Sequence, residues 1–186
     1  MLNKNISVTE IAMNPFDLIG NEWMLLTAGN KEQFNTMTAS WGFAGVMWGV
    51  NAIACVVRPQ RYTNEFMQKS DYFTASFFGK GNHRDALALC GSKSGRDIDK
   101  VAETGLTPAF FNAECRNKNA EIRNDNADSG IYVPYFEEAE KVFICRKLYE
   151  QKIDPAGFRD PEINKNYAAG DYHIMYIGEI VDSLES

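Results

Sequence analysis

The chain reads as a series of short apolar stretches, most of them alternating or wholly apolar and few at helical spacing. Residues 1–22 form a lead-in with turn signals at Asn14-Pro15 and Gly20-Asn21. Trp23 to Ala28 is a strand candidate, and Gly29-Asn30-Lys31 a turn. Asn35 to Trp48 reads as one strand bent at Gly42 and Gly45. Ala52 to Val57 (AIACVV) is apolar on both faces, as in a buried strand, and Pro59 ends it. Tyr72 to Phe78 alternates: Phe73, Ala75 and Phe77 share one face, Tyr72, Thr74 and Ser76 the other. Ile131 to Phe136, Lys141 to Tyr149 and Tyr172 to Val181 complete the strands. Three short helices are expected. The first spans Thr63 to Lys69 with Thr63 as N-cap, and the second His83 to Cys90, ended by Gly91. The third runs from Ile98 to Glu103, behind the capping-box spacing of Ser94 and Asp97 and ended by Gly105. Asn112 to Gly130 is polar and charged, a surface excursion, and Asp154 to Asp171 a long loop with a turn of helix.

Six or seven short strands with small helices and no regular βαβ alternation predict a mostly β chain: a closed, largely antiparallel barrel with helices at its rim. A single domain over 1–186 is expected. More strands are apolar on both faces than a lone small barrel can bury, so the outer face is predicted to form a homodimer interface.

Composition narrows the function. With 45% hydrophobic and 24% charged residues the chain is an ordinary globular one, and its net charge of -6 argues against nucleic acid as a partner. Cys55, Cys90, Cys115 and Cys145 make no CxxC, and His83 and His173 complete no familiar zinc spacing, so no metal is expected. No apolar run reaches membrane-spanning length, and the opening MLNKNISVTE lacks the apolar core of a leader; a reduced, cytoplasmic protein is expected.

Against that acidic background one segment stands out, Asn35 to Thr63. In an extended chain Asn35, Met37, Ala39 and Trp41 share one face, and Thr36, Thr38 and Ser40 the other. A row of hydroxyls at period two suits a flat heteroaromatic ring with acceptors on its rim, and equally a solvated edge strand. Arg58 and Arg61 follow, just before the helix at Thr63. Guanidinium groups beside a helix N-terminus suit a phosphate, or else pair with Glu65 or Asp71 on the surface. Ser92, Lys93 and Ser94, within CGSKSGRD, resemble an anion-binding nest but lack a P-loop; a charged loop accounts for them as well. Trp41 and Trp48 suit a ring edge or a core or dimer contact, and His173 reads as a strand-end histidine or as a contact to a ring edge.

The blocks NTMTASWG, RPQRYT, YFTASFF, CGSKSGRDIDK, ETGLTP, VFICRKLY and YHIMYIGEIV together resemble the flavin reductase-like family, in particular its flavoredoxin-type members. They occur in order from about Asn14 to Val181. The resemblance implies an FMN-binding split barrel of six antiparallel Greek-key strands and a homodimer with one FMN per subunit near the interface. It implies that Asn35, Thr36, Met37, Thr38, Ser40 and Trp41 line the isoalloxazine. Arg58, Arg61 and Thr63, with Ser92, Lys93 and Ser94, would hold the phosphate and ribityl chain, and the Tyr72–Phe78 strand would complete the wall. Electrons would come from NAD(P)H or a redox protein; a non-catalytic electron carrier is the alternative. Arg58 or the amides around Thr38 would stabilise the anionic reduced flavin. Gly79 to Arg84 (GKGNHR) and the 112–130 excursion depart from the family pattern, at the rim where a substrate would enter.

Overall fold

A computed structural model describes residues 4–114 and 130–186. Ten strands appear among them: β1 (Lys4–Asn5), β2 (Met24–Gly29), β3 (Phe34–Ala39), β4 (Gly42–Met47), β5 (Val50–Val57), β6 (Tyr72–Phe77), β7 (Pro108–Asn112), β8 (Tyr132–Phe136), β9 (Lys141–Lys152) and β10 (Ile174–Glu185). Four helices accompany them: α1 (Pro15–Asp17, continued by a π turn over Leu18–Glu22), α2 (Tyr62–Lys69), α3 (Arg84–Ser92) and α4 (Lys100–Thr104). The expected elements are present, with shifted ends. Trp23, at φ 68°, stands before β2 rather than in it. The expected Asn35–Trp48 strand breaks at Ser40-Trp41 into β3 and β4, and Gly45 lies unbent inside β4.

The main sheet is antiparallel throughout, in the order β3-β2-β6-β9-β10-β5-β4, with β1 added against β10. Its two end strands, β3 and β4, are neighbours in sequence, joined only by Ser40 and Trp41. Three peptide units hold Ala39 and Gly42 within about 11 Å, so the sheet must curl until its ends nearly meet. They do not pair. The mostly β, antiparallel expectation holds, whereas the expected closure does not: the barrel is split between β3 and β4. The reason lies on the outer edge of β3. The Thr36 carbonyl accepts from the Lys100 ammonium at 2.8 Å and from the Asn35 amide at 3.3 Å, and the Thr38 hydroxyl donates to the Leu87 carbonyl of α3. Helices occupy an edge that a strand would need.

Inside the curl, Met24, Leu26, Met37, Ile53, Cys55, Phe73, Phe77, Phe143, Cys145 and Tyr176 form one core. Leu25, Leu87, Cys90, Val133, Phe136, Val142 and Ile144 form a second, between the outside of the sheet and α3 with the β7–β8 ribbon. That second core explains most of the two-faced apolar strands: this chain covers them itself. Gly178 permits a close approach between β10 and its neighbours. A β-carbon there would lie 2.7 Å from the Phe73 ring and 2.9 Å from the Cys145 β-carbon, at a register shift between β9 and β10.

The β4–β5 hairpin stays uncovered. Phe43, Val46, Met47 and Trp48 are exposed, and the turn is made by Trp48 (φ 51°) and Gly49 (φ 77°). Two positive φ values match the twist of a two-residue hairpin, but a tryptophan in that conformation is disfavoured by about 1–2 kcal/mol. Of the expected 112–130 excursion, Asn112 ends β7 and residues 115–129 lie outside the described residues.

Candidate functional site

The split between β3 and β4 opens into a cavity of about 320 Å³, lined by Met37, Thr38, Ala39, Ser40, Trp41, Val56, Arg58, Arg61, Gly91 and His173. Six of the residues singled out from the sequence therefore meet there: Met37, Thr38, Ser40, Trp41, Arg58 and Arg61. Chain connectivity brings them together, since β3, the Ser40-Trp41 link and the β5–α2 corner surround the gap. Among the described residues no carboxylate lines it.

Each arginine is held in place. Arg61 donates to the carbonyls of Gly91 and Cys90 at the C-terminal end of α3, where the helix leaves acceptors unpaired and favours a cation. Arg58 pairs with Asp171, donates to the Asn166 carbonyl at 2.9 Å and lies 5.3 Å from the Tyr167 ring. Hydrogen bonds from Gln60 and from Arg58 hold the Asp171 carboxyl below the ordinary aspartate range. Both acceptors on Arg58 come from the loop preceding β10, which folds into two 3₁₀ turns, Pro155–Gly157 and Pro161–Tyr167.

The same loop fixes His173. Its Nδ1 lies 2.9 Å from the Tyr167 hydroxyl, and its ring is 5.2 Å from that of Trp41. Burial, then the nearby Arg58 cation, pull its pKa down to about 4, so the imidazole is neutral at physiological pH. It lines the cavity just before β10, a place that the strand-end reading did not reveal.

The remaining candidates sit elsewhere. Asn35 and Thr36 are buried within β3: the Asn35 amide donates to the Thr63 hydroxyl at 2.7 Å, and the Thr36 hydroxyl bonds Thr27 and the Leu26 carbonyl. Thr63 is not the N-cap of α2; Arg61 takes that position without a side-chain hydrogen bond. Ser92 donates back to the Ala88 carbonyl, Lys93 caps α3 through its own N–H, and Ser94 accepts from the Arg96 amide. None of these three borders the cavity. Asp99, not Ser94, caps α4, accepting from Val101 and Ala102.

Lys100 went unread in the sequence. It begins α4, is only 6% exposed, and bridges β3 to α3 by donating to the Thr36 carbonyl (2.8 Å) and the Cys90 carbonyl (3.1 Å). Burial above all, with Arg61 adding to it and Cys90 opposing, lowers its pKa to about 8. With Asn35, Thr36, Gly95 and Arg96 it lines a second cavity of about 600 Å³ on the other side of that bridge. Gly95 is required there, because a β-carbon would fall 2.0 Å from the Asn35 amide oxygen. Nothing in the linear pattern marks this lysine; a lone cation opening a short capped helix was the only signal.

The architecture is a split antiparallel barrel with arginine and lysine cations around a hydroxyl-bearing edge strand. The chain belongs to the family described as the flavin reductase like domain, which matches residues 16–185. Solved structures agree. The FMN-binding protein of Thermus thermophilus with bound 1-cyclohex-2-enone is 20% identical over 94% of this chain and 78% of its own, with a TM-score of 0.59. Flavoredoxin of Desulfovibrio vulgaris (Miyazaki F) is 19% identical over 99% and 76%, at 0.61. An NADH:FAD oxidoreductase of Streptomyces globisporus C-1027 is 14% identical over 89% and 75%, at 0.55. No match to a curated protein was found. Among the described residues no helix is long and apolar enough to cross a membrane.

Proposed function

We propose that the chain is an FMN-dependent oxidoreductase that takes electrons from NAD(P)H or a redox-protein donor and works as a homodimer. One observation carries the reading. Three cations, Arg61, Lys100 and Arg58 with its partner Asp171, stand around the split barrel's opening, and among the described residues no carboxylate lines the 320 Å³ cavity beside them. Such a setting favours a partly aromatic anion over a neutral or cationic ligand. Its volume lies within the usual range of small-molecule sites, roughly 300–1,000 Å³.

The residues fit a flavin phosphate. Met37, Thr38, Ser40 and Trp41 would border the ring, while Arg61 and Lys100 would hold the phosphate, with Asn35 oriented by Thr63. Ser92, Lys93 and Ser94 stand outside both cavities and would act only through the turn at Gly95. Bound flavin would supply the hydride-accepting chemistry. The chain's own part is to place the ring, hold the charge and limit water. Neutral His173, steadied by Tyr167, would add a hydrogen-bonding edge without a competing positive charge. Thr38 is less available than its sequence suggested, because its hydroxyl donates to Leu87. The exposed Phe43, Val46, Met47 and Trp48 hairpin is the face proposed for the second copy, next to Trp41 at the seam.

The test is an absorption spectrum of the purified protein with FMN titration, followed by anaerobic NADH or NADPH. Flavin uptake with bleaching supports the oxidoreductase. Uptake without bleaching leaves an electron carrier served by a protein donor, and no uptake removes the flavin reading.

A further inference from the structure

Tyr167 ends the second 3₁₀ turn of the loop before β10, and its ring is held from several sides. Phe158 stacks on it at 6.0 Å, Tyr172 tilts against it at 4.8 Å, and the Arg58 guanidinium lies 5.3 Å from its centre. Burial above all raises the pKa of the phenol, against the Arg58 cation and with Asp171 and Tyr172 adding to it, so the hydroxyl keeps its proton. Among the described residues that hydroxyl has one hydrogen-bond partner, Nδ1 of His173 at 2.9 Å.

Two arrangements share this contact. Were Nδ1–H the donor, the phenol proton would stay buried without an acceptor, and Nε2 would turn a bare lone pair to the cavity. With the hydroxyl as donor both needs are met, and Nε2 carries the imidazole proton. The first arrangement leaves two polar groups unpaired and the second leaves one. An imidazole nitrogen is also the better acceptor, because a phenol oxygen shares its lone pair with its ring. Nε2 itself makes no hydrogen bond among the described residues, yet it is not sealed in the protein. His173 is 7% exposed and lines the 320 Å³ cavity, which is where that nitrogen is open.

We infer that Tyr167 is a positioning residue: it locks His173 as the Nε2–H tautomer and makes it a fixed, neutral hydrogen-bond donor to the ligand of the cavity. The chemistry selected is a flat ring with a carbonyl oxygen or an unprotonated nitrogen on its edge. Trp41, 5.2 Å from the imidazole, supplies an apolar face beside the donor. A pKa near 4 agrees, since an imidazolium would have to donate from Nδ1 where it now accepts. The identity of the ring rests on the flavin reading; the tautomer does not.

Nitrogen NMR of the full chain labelled in histidine reads the tautomer with no ligand present. The chain has two histidines, and His83→Gln removes the other signal. His173 should show a protonated Nε2 and a bare Nδ1 at pH 7. Tyr167→Phe keeps the stacked ring and should give a mixture of both tautomers. A protonated Nδ1 in the wild type overturns the inference, and that spectrum decides even where the variant does not fold. So does a tautomer unmoved in a folded Tyr167→Phe protein. Binding tests the consequence. Tyr167→Phe should weaken FMN and riboflavin alike, by about 2- to 12-fold, the range for one neutral hydrogen bond. His173→Gln brings an N–H donor of its own, so adding Tyr167→Phe to it should cost nothing further. Flavin affinity indifferent to Tyr167→Phe, or an equal second loss in the His173→Gln background, overturns the donor's role. The expected tautomer without flavin uptake defeats the flavin reading and keeps the donor.

Discussion

Replacing Lys100 by methionine tests the seam most directly. Methionine keeps an unbranched stem in a 6%-exposed position but removes the ammonium that reaches Thr36 at 2.8 Å and Cys90 at 3.1 Å. If that ammonium also meets the FMN phosphate, a charge-assisted contact of about 1.5–3 kcal/mol disappears. FMN affinity then falls about 10- to 150-fold. Riboflavin has no phosphate and should lose little. Any general weakening of the seam acts on both ligands and cancels in their ratio. The ratio should also depend on pH. Lys100 titrates near pH 8 in the free protein, and a phosphate monoester is already dianionic above about pH 6. The preference for FMN over riboflavin should therefore decline from pH 8 upward in the wild type and stay flat in Lys100→Met. Stability moves in the opposite sense. The unfolded lysine keeps its proton to about pH 10.4 while the folded one releases it near 8, so unfolding free energy rises across that window. The variant should lose that rise. Flavin fluorescence quenching at pH 7 and 9.5, with denaturant melts at both, measures all of this. Equal losses for FMN and riboflavin, or a wild-type ratio that ignores pH, would refute the assignment.

Other outcomes follow from the same geometry. The folded pKa of His173 is about 4 against about 6.5 unfolded, so stability is full above pH 6.5 and falls as pH drops towards 4; His173→Phe should flatten that decline in acid melts. Gly178→Ala should destabilise by roughly 1–3 kcal/mol in urea titration, because its β-carbon meets the Phe73 ring and Cys145; an unchanged midpoint would mean that the bulge yields freely. Val46→Asp, on the exposed hairpin, should turn a dimer into a folded monomer by light scattering, and a wild type that is monomeric throughout removes that interface. Arg61→Ala strands the Gly91 carbonyl at the end of α3 and leaves that of Cys90 to Lys100 alone, and should cost stability by about 1–3 kcal/mol as well as FMN affinity.

Alternation alone placed Phe73, Ala75 and Phe77 in the inner core and showed β5 buried on both faces, since side chains of a strand point to opposite sides at each step. Short-range connectivity also made the grouping of Met37 to Trp41 with Arg58 and Arg61 legible, because hairpins bring near neighbours together. Period two, however, says which side a residue faces and nothing about which edges pair. Whether the barrel closes was settled by the helices that bond the outer edge of β3: Lys100 of α4 takes the Thr36 carbonyl across 64 positions, and the Leu87 carbonyl of α3 accepts from Thr38. The same contact made Lys100 a buried cation, and the loop before β10 brought His173 and Tyr167 to the cavity. Thr63 and Asn35 show the converse. Their polarity advertised a ligand, yet each found the other, since a buried polar group bonds whatever partner the fold supplies. Local pattern thus determined the strands and the hydroxyl row, and long-range packing alone decided the seam, its cations and the second cavity beside it.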